Sequence, residues 1–169
     1  HPFSDGNGRV GRAISEIALS QELGHPALLS LSTTIQSRRQ DYYDALSRAS
    51  QGSLDITEWL VWFTALVLDS QLQAKEQIAY VLSKARFWDT YADKLNERQT
   101  KVLGRMFREG PEGFKGGMSA QKYTKITDCS KATATRDLAE LLKMGAFRKL
   151  EGGGRSTRYD IQLPELAEN

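Results

Sequence analysis

From Arg9 to Leu23, the residues Val10, Ala13, Ile14, Ile17, Ala18 and Leu19 return at three- and four-residue steps, the period of one face of an α-helix. The same period runs through most of the chain and is cut only where a helix cannot continue. Gly24 and then His25-Pro26 close the first run, glycine as C-cap and proline barring extension. Ser32–Arg39 and Asp41–Ser50 predict two shorter helices that end at Gln51-Gly52. Asp55 with Glu58 three residues on has the form of a capping box. It opens a long run through Ile56, Trp59, Leu60, Phe63, Leu66 and Val67, which continues past Ile78, Val81 and Leu82, with a break allowed near Ser70–Ala74. A chain punctuated in this way is mainly α.

The last part changes rhythm. Glu97–Glu109 places Val102, Leu103, Met106 and Phe107 on one face before Gly110-Pro111 breaks it. Ser119–Ile126 reads as a short helix with a serine at its start. Ser130 is a good N-cap for Lys131–Met144, whose buried stripe is Ala134, Leu138, Leu141 and Leu142, and Gly145 ends it. Ala146–Leu150 and Thr157–Leu163 carry β-formers on either side of a glycine-rich gap, which predicts a hairpin. Three helices followed by a hairpin is the order of a winged helix-turn-helix domain with a small β-hairpin wing. The expected division is therefore residues 1–94 and 95–169, joined near Tyr91–Asn96 by a helix-to-helix junction.

That order assigns roles. The helix after Ser130 is the recognition helix, with Lys131, Thr133 and Arg136 off its apolar stripe. Arg148, Lys149, Arg155 and Arg158 gather positive charge around the hairpin turn, where a wing meets phosphates. The expected partner is double-stranded DNA, and the bland alternative is a protein-docking module of the same fold. Segment GGGRSTRY resembles the wing of bacterial winged-helix regulators. Cys129, just ahead of the recognition helix, reads as a small buried hydrophobe rather than a redox sensor.

Charge supports the division without deciding it. Residues 1–94 hold 9 Lys+Arg against 11 Asp+Glu, a net of −2, whereas residues 95–169 hold 14 against 10, a net of +4. A single cysteine among 169 residues excludes an internal disulfide framework and fits a cytoplasmic setting, and two histidines are too few for a structural zinc site. The apolar stretch Leu60–Leu68 is too short to span a bilayer, so no membrane partner is expected.

The densest chemistry lies in the first twelve residues, HPFSDGNGRVGR. Gly6 to Gly11 matches the dinucleotide pattern G-x-G-x-x-G, but the strand that pattern requires before it is missing and no β-α-β rhythm follows. A P-loop fails too, because no Lys-Ser/Thr follows the glycines. What remains is a loop feeding a helix N-terminus, where unpaired N–H groups and the helix dipole favour an anion. Gly6 and Gly8 let the backbone come close, Asn7 can hydrogen-bond a phosphate oxygen, and Arg9 and Arg12 lie on one side of the first turn. Asp5 beside an anion cluster calls for a divalent cation between them, and Mg²⁺ binds through one or two carboxylates plus substrate phosphates. His1 has a pKa suited to general-base work near neutrality.

These residues resemble the Fic-family signature H-x-F-x-[D/E]-G-N-G-R-x-x-R at every fixed position. The resemblance implies the C-terminal part of an all-α Fic domain, and an activity that moves AMP from ATP to a Ser, Thr or Tyr hydroxyl of a target protein. It implies that His1 deprotonates the attacking hydroxyl, that Asp5 holds Mg²⁺, and that Gly6, Asn7 and Gly8 form the anion hole for the α-phosphate. Arg9 and Arg12 would hold the outer phosphates, and Phe3 would anchor the loop. The stretch SRRQDYYDALSRASQGSLDITEWLVWF is similar to the helices after the motif in bacterial Fic proteins with a winged helix. Fic domains also place helices and a β-hairpin flap before the motif. The expectation is thus a homo-oligomer or a complementary N-terminal fragment, with negligible transfer by these 169 residues alone. Two alternatives stay open: a DNA-binding regulator or docking module in which the Fic portion is a scaffold, and a related reaction on the same anion hole.

Overall fold

The computed structural model describes residues 2–24, 31–52, 54–151 and 157–164. The expectations placed on His1, His25-Pro26, Arg155 and most of the hairpin turn lie outside the described residues. The chain is mainly helical and packs as two units, one up to Glu76 and the other from Gln77 onward.

In the first unit, helix α1 spans Asn7–Leu23 and closes on Gly24, whose φ of 70° is the left-handed C-cap conformation. Helix α2 (Leu31–Ser37) and α3 (Arg39–Gln51) follow. Helix α4 begins at Thr57 and runs unbroken to Tyr91, so the break allowed near Ser70–Ala74 does not occur. Ser70 is buried and its hydroxyl is bonded to that of Thr34, which gives a polar residue inside the helix a partner in the core. Nor does Asp55 form a capping box: it accepts from the Thr57 N–H at 2.9 Å, two residues on, while Glu58 pairs with Arg48 at 3.4 Å. The core here is small and aromatic. Leu31, Ile35, Tyr42 and Leu66 are buried, with Trp59, Trp62 and Phe63 packed around them. Trp59 stacks on Phe63 at 5.6 Å and on Trp62 at 5.7 Å.

The apolar stripe of α1 does not join that core. Ile14 and Ile17 are 60% and 57% exposed, and Phe3 is 53% exposed instead of anchoring the loop.

The second unit takes the end of α4, because Phe87 is fully buried in its core with Tyr80, Trp88 and Tyr91 against it. A short 3-10 turn, Ala92–Lys94, leads to α5 (Glu97–Phe107), where the expected boundary at residue 94 falls. Asn96 and Gln99 form a reciprocal capping box at its start, a signal the sequence reading passed over. Helix α6 (Ala120–Thr127) is capped by Ser119, and α7 (Lys131–Lys143) by Ser130. Strands β1 (Phe147–Lys149) and β2 (Tyr159–Ile161) pair antiparallel, with Arg148 opposite Asp160. Met118 and Tyr159 exchange both backbone hydrogen bonds, at 2.7 and 2.8 Å, so the loop before α6 lies along β2. Gly117 permits this approach: its φ is 66°, and a Cβ there would lie 2.7 Å from Leu150 Cδ1 and 3.0 Å from the Tyr159 carbonyl oxygen.

On α7 the buried residues are Ala134, Asp137, Leu138 and Leu141, with Leu142 half-buried. A carboxylate within that stripe needs partners. Arg98 supplies two hydrogen bonds, at 2.8 and 3.2 Å, and the Tyr123 hydroxyl a third at 2.9 Å. Burial alone would push the Asp137 carboxyl up; these hydrogen bonds and the nearby charges of Arg98 and Arg136 outweigh it and hold the group below the usual carboxylate range. One residue thereby ties α5, α6 and α7 together.

Candidate functional site

The loop that opens α1 is shaped by its own side chains. Asn7 Oδ1 accepts from the Phe3 N–H at 3.0 Å, and Asn7 Nδ2 donates to the Phe3 carbonyl at 2.7 Å. This two-ended clamp leaves one amide N–H of Asn7 for a ligand. Gly6 is the N-cap at φ 80°, a conformation that suits glycine, and it offers no side chain to the helix end. The first helical N–H to find a carbonyl is that of Val10, on Gly6 at 3.0 Å. The amides before it therefore have no intrahelical partner.

Over this bare backbone lie two guanidinium groups. A Cβ built on Gly6 would sit 3.6 Å from Arg9 Nη2, and one built on Gly8 would sit 3.3 Å from Arg12 Nη1. Arg9 also pairs with Asp5 at 3.2 Å, and Arg12 Nε donates to Ser32 Oγ at 3.1 Å, which links the loop to α2. Asp5, Gly6, Asn7, Gly8, Arg9 and Arg12 thus line the loop and the first turns of α1, with Arg9 over Gly6 and Arg12 over Gly8. Chemically the arrangement offers what an anion would need: peptide N–H donors, two arginines and a helix dipole. Among the described residues no group of three or more His, Cys, Asp or Glu gathers to hold a metal. Asp5, almost fully exposed, offers a hard oxygen donor that suits a cation shared with phosphate oxygens rather than a cage made by the protein alone.

The second candidate surface belongs to the C-terminal unit. Lys131 and Arg136 are exposed on α7. Thr133 is drawn into the cap: its N–H donates to Ser130 Oγ at 3.1 Å, and the two hydroxyls lie 3.0 Å apart. Thr135, which the sequence reading passed over, stands on the exposed face four residues after Lys131. Both line a groove of about 460 Å³ with Gln121 and Thr124 of α6 and Thr157 beside β2. The pointer to Thr135 was its place off the buried stripe; nothing local pointed to Gln121 or Thr124. Arg148 pairs with Asp160 across the strands at 3.4 Å, and Lys149 is exposed. Arg158 donates to the Gly116 carbonyl at 3.2 Å, and Lys122 donates to the carbonyls of Lys115 and Gly117 at 2.7 and 2.8 Å. Burial, and then the charge of Arg158, push the Lys122 ammonium below its ordinary range.

A scan of the sequence against known protein families finds no match. Among the described residues no helix is long and apolar enough to cross a membrane.

Proposed function

We propose that this chain carries the nucleotide-handling segment of a Fic-type protein adenylyl transferase, joined to a winged-helix module that binds duplex DNA. The observation that supports the first part is the convergence of unpartnered amides with the Arg9 and Arg12 guanidiniums over Gly6 and Gly8, in a loop that reads HPFSDGNGRVGR. In this reading the backbone around Gly6 and Gly8, with the spare Asn7 amide, takes the α-phosphate of ATP. Arg9 and Arg12 take the outer phosphates. Asp5 is the protein ligand to Mg²⁺, which when bound screens the phosphate charge. His1 accepts the proton of the target hydroxyl as that oxygen bonds to the α-phosphorus. The bond from that phosphorus to the oxygen bridging to the β-phosphate breaks, and pyrophosphate leaves.

Titration with a fluorescent ATP analogue tests the site. Arg12→Ala weakens binding about tenfold, and Asp5→Asn removes the difference between Mg²⁺ and EDTA. Equal affinities for the native chain and Arg12→Ala defeat the reading.

For the second part, the support is the order α5, α6, α7, β1, β2 and the exposed Lys131 and Arg136 on α7. A gel-shift titration over salt is expected to give binding that falls steeply as salt rises, and that is lost in Arg136→Ala/Lys131→Ala. DNA binding without nucleotide binding favours the regulator alternative, in which the first unit is a scaffold. Binding of neither favours a docking module.

A further inference from the structure

Helix α4 shows a second periodicity on the side away from its core. Glu58, Val61, Ala65, Leu68, Leu72 and Lys75 follow at steps of three, four, three, four and three residues, a heptad seam. Trp62, Leu66 and Ser70 face the core, whereas every member of the seam is exposed. Val61 is 66% exposed, Leu68 55% and Leu72 51%. A stripe of this kind, about five turns long, is unusual for a surface in water.

The charges at its ends say what fits it. The seam begins with an acid and ends with a base, with apolar or small residues between. Two copies laid antiparallel about a point between Leu66 and Val67 bring Val61 against Leu72, Ala65 against Leu68, and Glu58 against Lys75. Each large side chain then meets a different one, and both ends are neutralised. A parallel pair in register would set Lys75 on Lys75 and Glu58 on Glu58. Neither charge is firmly engaged at present. Glu58 meets Arg48 at 3.4 Å with its side chain 80% exposed, and among the described residues Lys75 has no ion-pair partner shown. The seam from Glu58 to Lys75 is short, which puts such a pair at the lower end of the size range of specific interfaces.

We propose that residues 58–75 of α4 form the interface of an antiparallel homodimer, sealed at each end by Glu58 of one copy and Lys75 of the other.

The whole chain is tested by sedimentation equilibrium between 10 and 100 μM, concentrations at which an interface of about this size associates. The expected mass is twice that of the chain. Leu68→Glu/Leu72→Glu changes two exposed residues, so its circular dichroism stays native while its dissociation constant rises about a hundredfold or more. Lys75→Glu weakens the dimer about tenfold, and Glu58→Lys/Lys75→Glu restores it. In a Cys129→Ser background, oxidation joins a mixture of Ala65→Cys and Leu68→Cys chains, while Leu68→Cys alone stays uncrosslinked. A monomer at the highest concentration overturns the proposal and leaves the face to another protein. So does a dimer indifferent to Leu68→Glu/Leu72→Glu, or one that crosslinks Leu68→Cys to itself.

Discussion

Asp137 shows how much one side chain can carry. Its carboxylate is buried among three helices and holds the Arg98 guanidinium and the Tyr123 hydroxyl. Removing it in Asp137→Ala strands the buried Tyr123 hydroxyl and the Arg98 charge, with an expected loss of about 3 kcal/mol in urea unfolding. Asp137→Asn keeps an acceptor and loses less. Because the folded carboxyl titrates below its unfolded value of about 3.9, its contribution is whole above about pH 4 and is lost as pH falls through the folded value. The asparagine variant lacks that acid-sensitive part, which a pH series of melting curves would show. In the proposed nucleotide site, a cation on Asp5 would release Arg9 from their exposed pair to an anion, and the reverse would hold by the same factor.

At the scale of elements, what was readable depended on distance along the chain. Gly24, Ser119 and Ser130 each close or open a helix through contacts within four residues, and the sequence shows them plainly. Ser130→Ala is expected to destabilise the second unit by about 1 kcal/mol, read from its thermal midpoint. Nothing local marks Asp137 as buried, because its partner Arg98 lies 39 positions earlier. Ser70 looked like an interruption of α4 because its partner Thr34 is 36 positions away. The stripe of α1 predicts its helix correctly, and Ile14 and Ile17 nevertheless stay exposed, because a period does not say that anything covers it. In the loop before α1 the candidate residues come from the sequence alone, and the structure adds how they are held, with Asn7 clamping Phe3 and Arg12 reaching Ser32. Gly117 is a further case of long-range decision. Gly117→Ala meets Leu150 and the Tyr159 carbonyl in a left-handed conformation, and the expected loss of about 2 kcal/mol would appear as detachment of the 113–118 loop from β2 in amide exchange.

For the whole molecule, the two units differ in how they are built. The second has a broad core from Phe87 to Phe147, whereas the first relies on a handful of aliphatic residues and an aromatic cluster. Hydrogen exchange is therefore expected to protect the amides of α5 and α7 at least tenfold more than those of α1; equal protection would mean that the small core is held by more than its own packing. The aromatic cluster supplies a way to watch this. Trp59 and Trp62 lie together in the first unit, and Trp88 packs in the second. The chain holds three tryptophans, so its intrinsic fluorescence splits by unit: Trp88→Phe leaves an emission from the first alone. Denaturation followed in that variant would report the first unit's melting by colour, without a label.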